Sequence, residues 1–287
     1  MRSVKVAGFC TGYCTHIEYA AHIGGALRPT RFHAYAALIE HPTRGFTLFD
    51  TGYSRHFTNA TSHWPERIYR TLIPVETNDG ISVAGTLKAR GLATSDIGSV
   101  FISHLHGDHI GGLPDFPKAE IRISTDALQI AQTLGTSPYR ALAKGFLPTL
   151  FPPHAQSLVK KIEDAPIVDL PAWMSPFTHG FDIMMDRALL AVPLPGHAAG
   201  QMGLLIPETP QGPVFLVADA CWSRDACQNN KLPPRPVCAA FADVQSYRRT
   251  FCNLRELLNR ESALSILPSH SQEAWHSFAK EGTKSCE

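Results

Sequence analysis

The chain has 287 residues, of which 44% are hydrophobic and 18% charged, and its formal net charge is +1. These values are ordinary for a globular protein and exclude a disordered or fibrous chain. Nucleic acids and anionic membranes select proteins with a strong basic excess, so we expect neither as a partner. A small-molecule substrate is expected instead. The length suits a single α/β domain over residues 1–287.

The compartment is predicted from the N-terminus and the cysteines. Residues 1–10 contain two basic residues but no apolar run of signal-peptide length. No stretch reaches the ~20 apolar residues that a membrane-spanning helix needs. The seven cysteines are an odd set without a paired CxxC layout, which suits a reducing compartment better than a disulfide framework. We therefore expect a cytoplasmic protein.

Short runs rich in Val, Ile, Leu and Phe, bounded by turn residues, predict strands along the whole chain. In order they are Val4–Phe9, Ala34–Glu40, Phe46–Asp50, Ser99–Ser103, Glu120–Ser124, Ala188–Leu194, Val214–Ala218 and Ser265–Pro268. Apolar residues at helical spacing predict helices over Ile81–Arg90, Thr125–Leu134 and Asp243–Asn259. Strands that later alternate with helices favour sheets covered by helices.

Two segments, residues 53–79 and 137–180, are interpreted as insertions into this domain. The first is rich in aromatic residues, and the second is repeatedly broken by proline. Such connecting segments either cover a pocket or pack against the edge of the scaffold. The aromatic candidates for a substrate pocket are Phe57, Trp64, Phe146, Phe151 and Trp222.

The densest chemical signal follows the predicted strand Ser99–Ser103. Three histidines and an aspartate lie within six residues, namely His104, His106, Asp108 and His109. Imidazole and carboxylate groups bind zinc and similar divalent ions, and a loop after a strand can point closely spaced side chains inward. Glycines at 107, 111 and 112 are expected to permit tight turns there. The segment therefore predicts a metal site.

This HxHxDH pattern resembles that of the metallo-β-lactamase-fold hydrolases. Further matches are a Gly-His pair ending in His197, a hydrophobic strand followed by Asp219, a late His270, and Asp50 followed closely by a glycine. Together the matching features span residues 34–270. The resemblance implies an α/β fold, a four-layer αβ/βα sandwich of two mixed β-sheets flanked by helices.

The resemblance also implies two metal ions. The first would be held by His104, His106 and His197, the second by Asp108, His109 and His270, with Asp219 bridging both. Two divalent ions sharing a carboxylate and a water lower the pKa of that water, so that a bridging hydroxide is available as nucleophile near neutral pH. The ions also polarise the substrate carbonyl.

Roles follow for the individual residues of such a site. Asp108 and Asp219 are the catalytic candidates, because they hold and bridge the ions. Asp50 and Ser103 are expected to orient ligand histidines. Cys221 is not expected to act as nucleophile. Zinc is the expected metal, with manganese, iron or cobalt as alternatives that accept the same donors.

The family hosts many chemistries, so the substrate must be argued from details. Members that hydrolyse β-lactams are usually secreted, nuclease members usually carry an RNA-gripping arm, and oxygen-reducing members append a flavin domain; none of these fits. Persulfide dioxygenases, which use a single iron, are harder to exclude. The segment Pro195–Gln201 is similar to that of the N-acyl homoserine lactone lactonases. We therefore expect hydrolysis of a lactone or another small carboxylic ester.

Several alternatives stay open at this point. A thioesterase would share the ligand set, either of the glyoxalase II type or acting on an acyl thioester of a biosynthetic pathway. The basic residues of the last predicted helix, Arg248, Arg249, Arg255 and Arg260, are better interpreted as a solvated face than as a glutathione site. An organophosphate or phosphodiester hydrolase and a non-catalytic metal-binding regulatory protein are further alternatives. Exposed aromatic segments could form a lid or a homodimer contact.

Overall fold

The structure is a computed structural model that describes residues 3–279, the side chain of His154 excepted, so Cys286 lies outside the described residues. Its strands are β1 Lys5–Ile17, β2 Pro29–His41, β3 Gly45–Phe49, β4 Val75–Glu76, β5 Ile97–Phe101, β6 Glu120–Ile123, β7 Val159–Lys161, β8 Ile167–Asp169, β9 His179–Asp182, β10 Leu190–Pro193, β11 Met202–Ile206, β12 Val214–Ala218 and β13 Ser265–Pro268. Its helices are α1 Arg55–Ala60, α2 Arg67–Leu72, α3 Val83–Ala89, α4 Gly107–Ile110, α5 Thr125–Leu134, α6 Pro138–Leu142, α7 Arg224–Gln228, α8 Arg235–Cys238, α9 Val244–Arg260 and α10 Gln272–Phe278.

The strands form two mixed sheets. The seven-stranded sheet has the order β4-β1-β2-β3-β5-β6-β7, and the six-stranded sheet has the order β13-β12-β11-β10-β9-β8. In the first sheet β3, β5, β6 and β7 run parallel to one another, and in the second β12 and β13 do so. The remaining pairs are antiparallel. The predicted pair of mixed sheets is therefore confirmed.

Alternate side chains of the strands build three apolar layers. Phe49 and Phe101 stack between the sheets at a centroid distance of 5.4 Å, and Leu204 faces them from the second sheet. Leu205 and Phe215 point the other way, toward the buried stripe of α9. Helices α3 and α5 cover the outer face of the first sheet in the same manner. Because side chains of a strand alternate between its two faces, each sheet can be buried on both sides. The result is the four-layer sandwich that the sequence predicts.

Most predicted elements are present, with altered bounds. Strands β1 and β2 are each 13 residues long, and they extend the predicted runs into a hairpin. Strand β11 was not predicted, because it is buried on both faces and shows no alternation, and because Gly203 lowers its strand propensity. The predicted helix starting at Ile81 begins instead at Val83, since the Ser82 hydroxyl accepts the N–H of Gly85 and caps it.

The two segments interpreted as insertions carry secondary structure. Residues 53–79 contain α1, α2 and β4, and β4 pairs with β1 at the edge of the first sheet. Residues 137–180 contain α6, β7 and β8. Strand β7 lies at the edge of the first sheet and β8 at the edge of the second. That these segments are insertions into a single domain stays a prediction.

Two findings bear on the compartment. Among residues 3–279 no helix is long and apolar enough to cross a membrane. The described cysteines with free thiols are Cys14, Cys221, Cys227, Cys238 and Cys252.

Candidate metal centre

The candidate ligands all follow the carboxyl ends of strands. Residues 104–109 come after β5, His197 after β10, Asp219 after β12 and His270 after β13, while Asp50 comes directly after β3. Strands β3 and β5 are parallel, as are β12 and β13, so their carboxyl ends lie at the same edges of their sheets. Side chains separated by up to 220 residues therefore meet at one end of the sandwich.

The first group of donors consists of three imidazoles and a carboxylate. The Nδ1 atom of His106 lies 3.0 Å from Nε2 of His104 and 3.1 Å from Nε2 of His197, and Asp219 Oδ2 lies 3.3 Å from the latter. Burial lowers the pKa of all three histidines, to about 3 for His197. They are therefore neutral, and one N–H on His106 cannot satisfy both neighbours. Three converging ring nitrogens with lone pairs suit a cation between them.

The second group mixes carboxylates with imidazoles. Asp108 Oδ2 lies 3.5 Å from His109 Nε2 and 3.4 Å from His270 Nε2, and Asp219 Oδ1 lies 3.3 Å from His109 Nε2. Burial alone would lower the pKa of both histidines, but Asp108 and Asp219 outweigh it, and the pKa of His270 rises to about 9. In turn His270 and His109 outweigh the effect of burial on Asp219 and hold its pKa well below the usual range.

Both groups have the spacing that a metal ion requires. Within each group the donor atoms lie within 4.8 Å of one another. Four ligands placed tetrahedrally ~2.05 Å from zinc are separated by about 3.3 Å, which matches the contacts above. In the part of the chain that the structure describes, no lysine or arginine pairs with Asp108 or Asp219. Divalent cations would supply the charge that these buried carboxylates lack, and Asp219 reaches both groups.

Outer hydrogen bonds fix which ring nitrogen faces the centre in three of the histidines, His104, His109 and His270. His109 Nδ1 lies 2.7 Å from Asp50 Oδ2, and His270 Nδ1 lies 2.7 Å from the carbonyl oxygen of His33. His104 Nδ1 lies 3.0 Å from the Ser103 hydroxyl. Because these Nδ1 atoms carry the proton, each Nε2 atom offers its lone pair to the centre.

Asp50 and Ser103 form one buried unit behind the ligands. The Ser103 N–H donates to Asp50 Oδ1 at 2.8 Å, and the Ser103 hydroxyl donates to Asp50 Oδ2 at 2.7 Å. Burial raises the pKa of Asp50, although His109 and Ser103 lower it in part. The structure thus places Ser103 in contact with His104 and His109, and Asp50 in contact with His109.

The glycines around the HxHxDH segment have a different role from the predicted one. Gly111 and Gly112 have φ values of −59° and −96°, which any residue adopts. A Cβ atom on Gly111 would lie 2.5 Å from the carbonyl oxygen of Gly52, and one on Gly112 would lie 2.6 Å from that of Thr51. Residues 111 and 112 do form a turn, as expected, but their glycines are needed for close packing of the ligand loop against residues 50–54 rather than for the turn conformation.

The structure corrects most of the aromatic residues predicted for the pocket. Phe57, Phe146 and Phe151 are buried in the core around the first sheet, and the Trp64 side chain is 70% exposed. Hydrophobic character and position in the chain do not reveal whether an aromatic ring faces a pocket, the core or solvent. Of the five candidates, Trp222 alone lines the cavity beside the donors.

Phe146 still contributes to the site through its backbone. It forms a β-bridge with His106, although the two residues lie 40 positions apart. The preceding Gly145 has φ +67°, and a Cβ atom there would lie 2.6 Å from Cδ2 of the His106 imidazole. Segment 145–146 therefore packs directly on a candidate ligand. The only sequence signal for this contact was Gly145, which lies in a loop outside the motifs shared with the family.

A cavity of about 730 Å³ opens onto the donors. Its floor includes His106, Asp108, His197, Asp219 and His270. Its walls are mainly apolar or aromatic, and the sequence predicted only one of them. They include Phe32, Tyr53, Ile68, Tyr69, Leu72, Ile73, Tyr139, Leu142, Trp222, Val237 and Phe241. Helices α2, α6 and α8 supply several of these side chains, and only the folded chain shows that they converge.

The fold and these donors are those of a metal-dependent hydrolase. Residues 29–220 match the Metallo-beta-lactamase superfamily, and the chain belongs to that superfamily. Within it the chain is similar to the N-acyl homoserine lactonase AttM of Azorhizobium caulinodans, with 30% identity over 85% of this chain and 83% of the relative. The predicted resemblance to the lactonase-like branch is thereby confirmed.

Solved structures show the same fold at lower identity. An N-acyl homoserine lactone hydrolase with the product N-hexanoyl-L-homoserine at its catalytic metal center superposes with a TM-score of 0.72, 20% identity, and coverage of 96% of this chain and 97% of the other. AidC, a dizinc quorum-quenching lactonase, gives a TM-score of 0.63 at 17% identity, over 94% and 88% of the two chains.

Proposed function

We propose that this protein opens the lactone ring of N-acyl homoserine lactones by metal-assisted hydrolysis. The observation that carries the proposal is a set of seven donors in two groups at one end of an apolar cavity, with Asp219 of the first group 3.3 Å from His109 and His270 of the second. The similarity to the lactonase AttM supports the same substrate class. The donors are His104, His106, Asp108, His109, His197, Asp219 and His270.

The cavity is divided in a way that suits such a substrate. Its polar floor would face the ester group of the lactone ring, and its apolar walls would face an acyl chain. Each methylene group that leaves water contributes ~0.8 kcal/mol to binding, which is about fourfold in affinity. Leu72 and Tyr139 are 69% and 72% exposed at the walls, so the apolar surface continues to the outside. Longer acyl chains therefore have apolar contacts available.

When bound, two divalent ions would activate water and polarise the lactone carbonyl. The residues of the chain itself hold the two donor groups in register. Asp219 links the groups, and Asp108 completes the second. Asp50 and Ser103 keep the ring nitrogens of His109 and His104 directed to the centre. No side chain has to act as a covalent nucleophile.

We propose zinc as the metal, because nitrogen-rich sites of histidine with a carboxylate are typical of zinc. Elemental analysis of protein purified without added metal tests this, and manganese, iron or cobalt are the competing results. A cytoplasmic location is proposed from five free thiols among residues 3–279. Cell fractionation tests it. A homodimer stays a prediction, which light scattering tests by measuring the molar mass in solution.

The function is tested with the metal-loaded protein on a substrate panel. The panel contains N-acyl homoserine lactones with acyl chains of increasing length, homoserine lactone without an acyl group, a glutathione thioester, a phosphotriester, a phosphodiester and a β-lactam. We expect kcat/KM to be highest for the acylated lactones and to rise with chain length. A higher kcat/KM for the thioester or the phosphotriester would contradict the proposal, as would a metal-loaded protein that turns over none of them.

A further inference from the structure

Trp222 lies three residues after Asp219, in the loop between β12 and α7. Its indole Nε1–H donates a hydrogen bond of 3.0 Å to Asp219 Oδ2. The same oxygen lies 3.3 Å from Nε2 of His197 and 3.3 Å from Nε2 of His270. The tryptophan therefore contacts the carboxylate oxygen that stands nearest to donors from both groups.

The indole ring stands across the site. It lies edge-on to the imidazole of His197 at a centroid distance of 5.8 Å and to that of His270 at 6.5 Å. Phe241 packs against it at 5.8 Å and also against His197 at 4.8 Å. Trp222 is half-buried and lines the cavity. One side chain thus contacts a donor of each group, the shared carboxylate and the space for substrate.

We propose that Trp222 is a positioning residue that fixes the orientation of the bridging carboxylate. An indole N–H is a donor only, so it can hold an aspartate oxygen without competing as a metal ligand. Among residues 3–279, Trp222 is the hydrogen-bond donor to Asp219 that belongs to neither donor group, while Oδ1 lies 3.3 Å from Nε2 of His109, a member of the second group. Without the indole, only the contacts of Asp219 with the other donors would oppose rotation of its carboxylate.

This role has a second consequence for substrate. Because the ring that holds Asp219 is also a wall of the cavity, removal of the N–H and removal of the wall are separable changes. Trp222→Phe keeps an aromatic ring in the wall but deletes the donor. Trp222→Leu deletes the donor and most of the ring. The proposal rests on the metal site of the proposed function, but it does not depend on which ester is the substrate.

The test measures zinc affinity by competition with a chromophoric chelator. We expect Trp222→Phe and Trp222→Leu to weaken zinc binding by about 10- to 100-fold, the usual effect of losing an outer partner of a metal ligand. Trp64→Phe, which changes an exposed tryptophan, is the matched control and should bind zinc like the parent. In cobalt-loaded protein, Trp222→Phe should also change the visible absorption bands, which report ligand geometry.

Kinetics on a hydrolysed lactone add a second measurement. Trp222→Phe should lower kcat and leave KM within about twofold, whereas Trp222→Leu should also raise KM, because the apolar wall is lost. Circular dichroism and the melting temperature verify that each variant is folded. Parental zinc affinity and an unchanged cobalt spectrum in folded Trp222→Phe would overturn the proposal. If the parent hydrolyses no lactone but Trp222→Phe still loses zinc affinity, the proposed substrate fails and the role of Trp222 stands.

Discussion

The histidines of the two donor groups have pKa values that are shifted in opposite directions. In the first group three neutral imidazoles crowd to 3.0–3.1 Å, and burial lowers the pKa of each. In the second group Asp108 and Asp219 raise the pKa of His109 and His270, and the contacts are longer, at 3.3–3.5 Å. The first group has one carboxylate, Asp219, beside three neutral imidazoles, whereas Asp108 and Asp219 both act on the two histidines of the second group.

The groups also differ in how the protein supports them. Both histidines of the second group have Nδ1 held at 2.7 Å, by Asp50 and by the carbonyl of His33. In the first group His104 contacts Ser103, whereas Nδ1 of His197 has no hydrogen-bond partner in the described chain, and His106 is packed against Gly145. The second group is thus preorganised by hydrogen bonds, and the first depends more on packing.

Asp219→Asn should have the largest effect, because Asp219 is the one donor shared by the groups. The amide is nearly isosteric, but it removes the negative charge that both ions would use. Loss of an outer partner costs ~10- to 100-fold in affinity or activity, and loss of a shared ligand should exceed that. Elemental analysis should give fewer than two metal ions per chain, and kcat/KM should fall at least ~100-fold. Two tightly bound ions in this variant would contradict the bridging role.

His109→Ala and His104→Ala compare one ligand from each group. Each should remove one ion and most activity, and Asp108→Asn should act like His109→Ala. In the metal-free proteins we expect a difference: His109→Ala leaves the fully buried Asp50 without its imidazole partner, which costs about 3–5 kcal/mol. His104→Ala leaves no buried charge unpaired. Urea unfolding of the two metal-free variants measures this, and equal free energies of unfolding would show that the groups are supported alike.

Asp50→Asn tests the hydrogen-bond support of the second group alone. The carboxylate contacts His109, but the ligand itself remains, so the expected loss in metal affinity is ~10- to 100-fold. The loss should concern one of two ions, because Asp50 contacts no donor of the first group directly. Ser103→Ala is the companion variant, since the Ser103 hydroxyl contacts Asp50 and both His104 and His109. A stepwise metal titration that shows both ions weakened equally by Asp50→Asn would refute the separation.

The fold could be predicted to a large extent because its signals are local. Short apolar strands and the helix Asp243–Asn259, observed as Val244–Arg260, follow from the spacing of hydrophobic residues. The short strands β7, β8 and β9 could not be predicted, because three or four residues carry too little pattern. Their pairing depends on tertiary contacts that no local window contains.

The site, too, could be predicted only where its signals are local in sequence. His104, His106, Asp108 and His109 are close in sequence, so their density alone indicates a metal site. The walls of the cavity come from separate helices and loops, and the sequence around a residue such as Tyr69 does not show that it lines the cavity. The pairing of Trp222 with Asp219 likewise depends on the turn at Ala218, which has φ +48°, a conformation that sequence does not predict for alanine.

Gly145→Ala should have the smallest effect and tests the packing support of the first group. A Cβ atom there would lie 2.6 Å from the His106 imidazole, and the residue has φ +67°, which costs an L-residue ~1–2 kcal/mol. Gly45→Ala is the matched control, because Gly45 has φ +79° and nothing within 4 Å of the added atom. Both variants should lose similar stability from backbone strain.

Only Gly145→Ala should move His106 and weaken one ion, by a few-fold and less than Asp50→Asn does. The effect should be small because an imidazole at the edge of a cavity can shift by a few tenths of an ångström, whereas a lost hydrogen bond cannot be replaced. Zinc affinity of the two glycine variants gives the comparison directly. If Gly145→Ala and Gly45→Ala bind zinc equally well, the first group does not depend on packing from residues 145–146, and the Ser103 contact to His104 must carry its support.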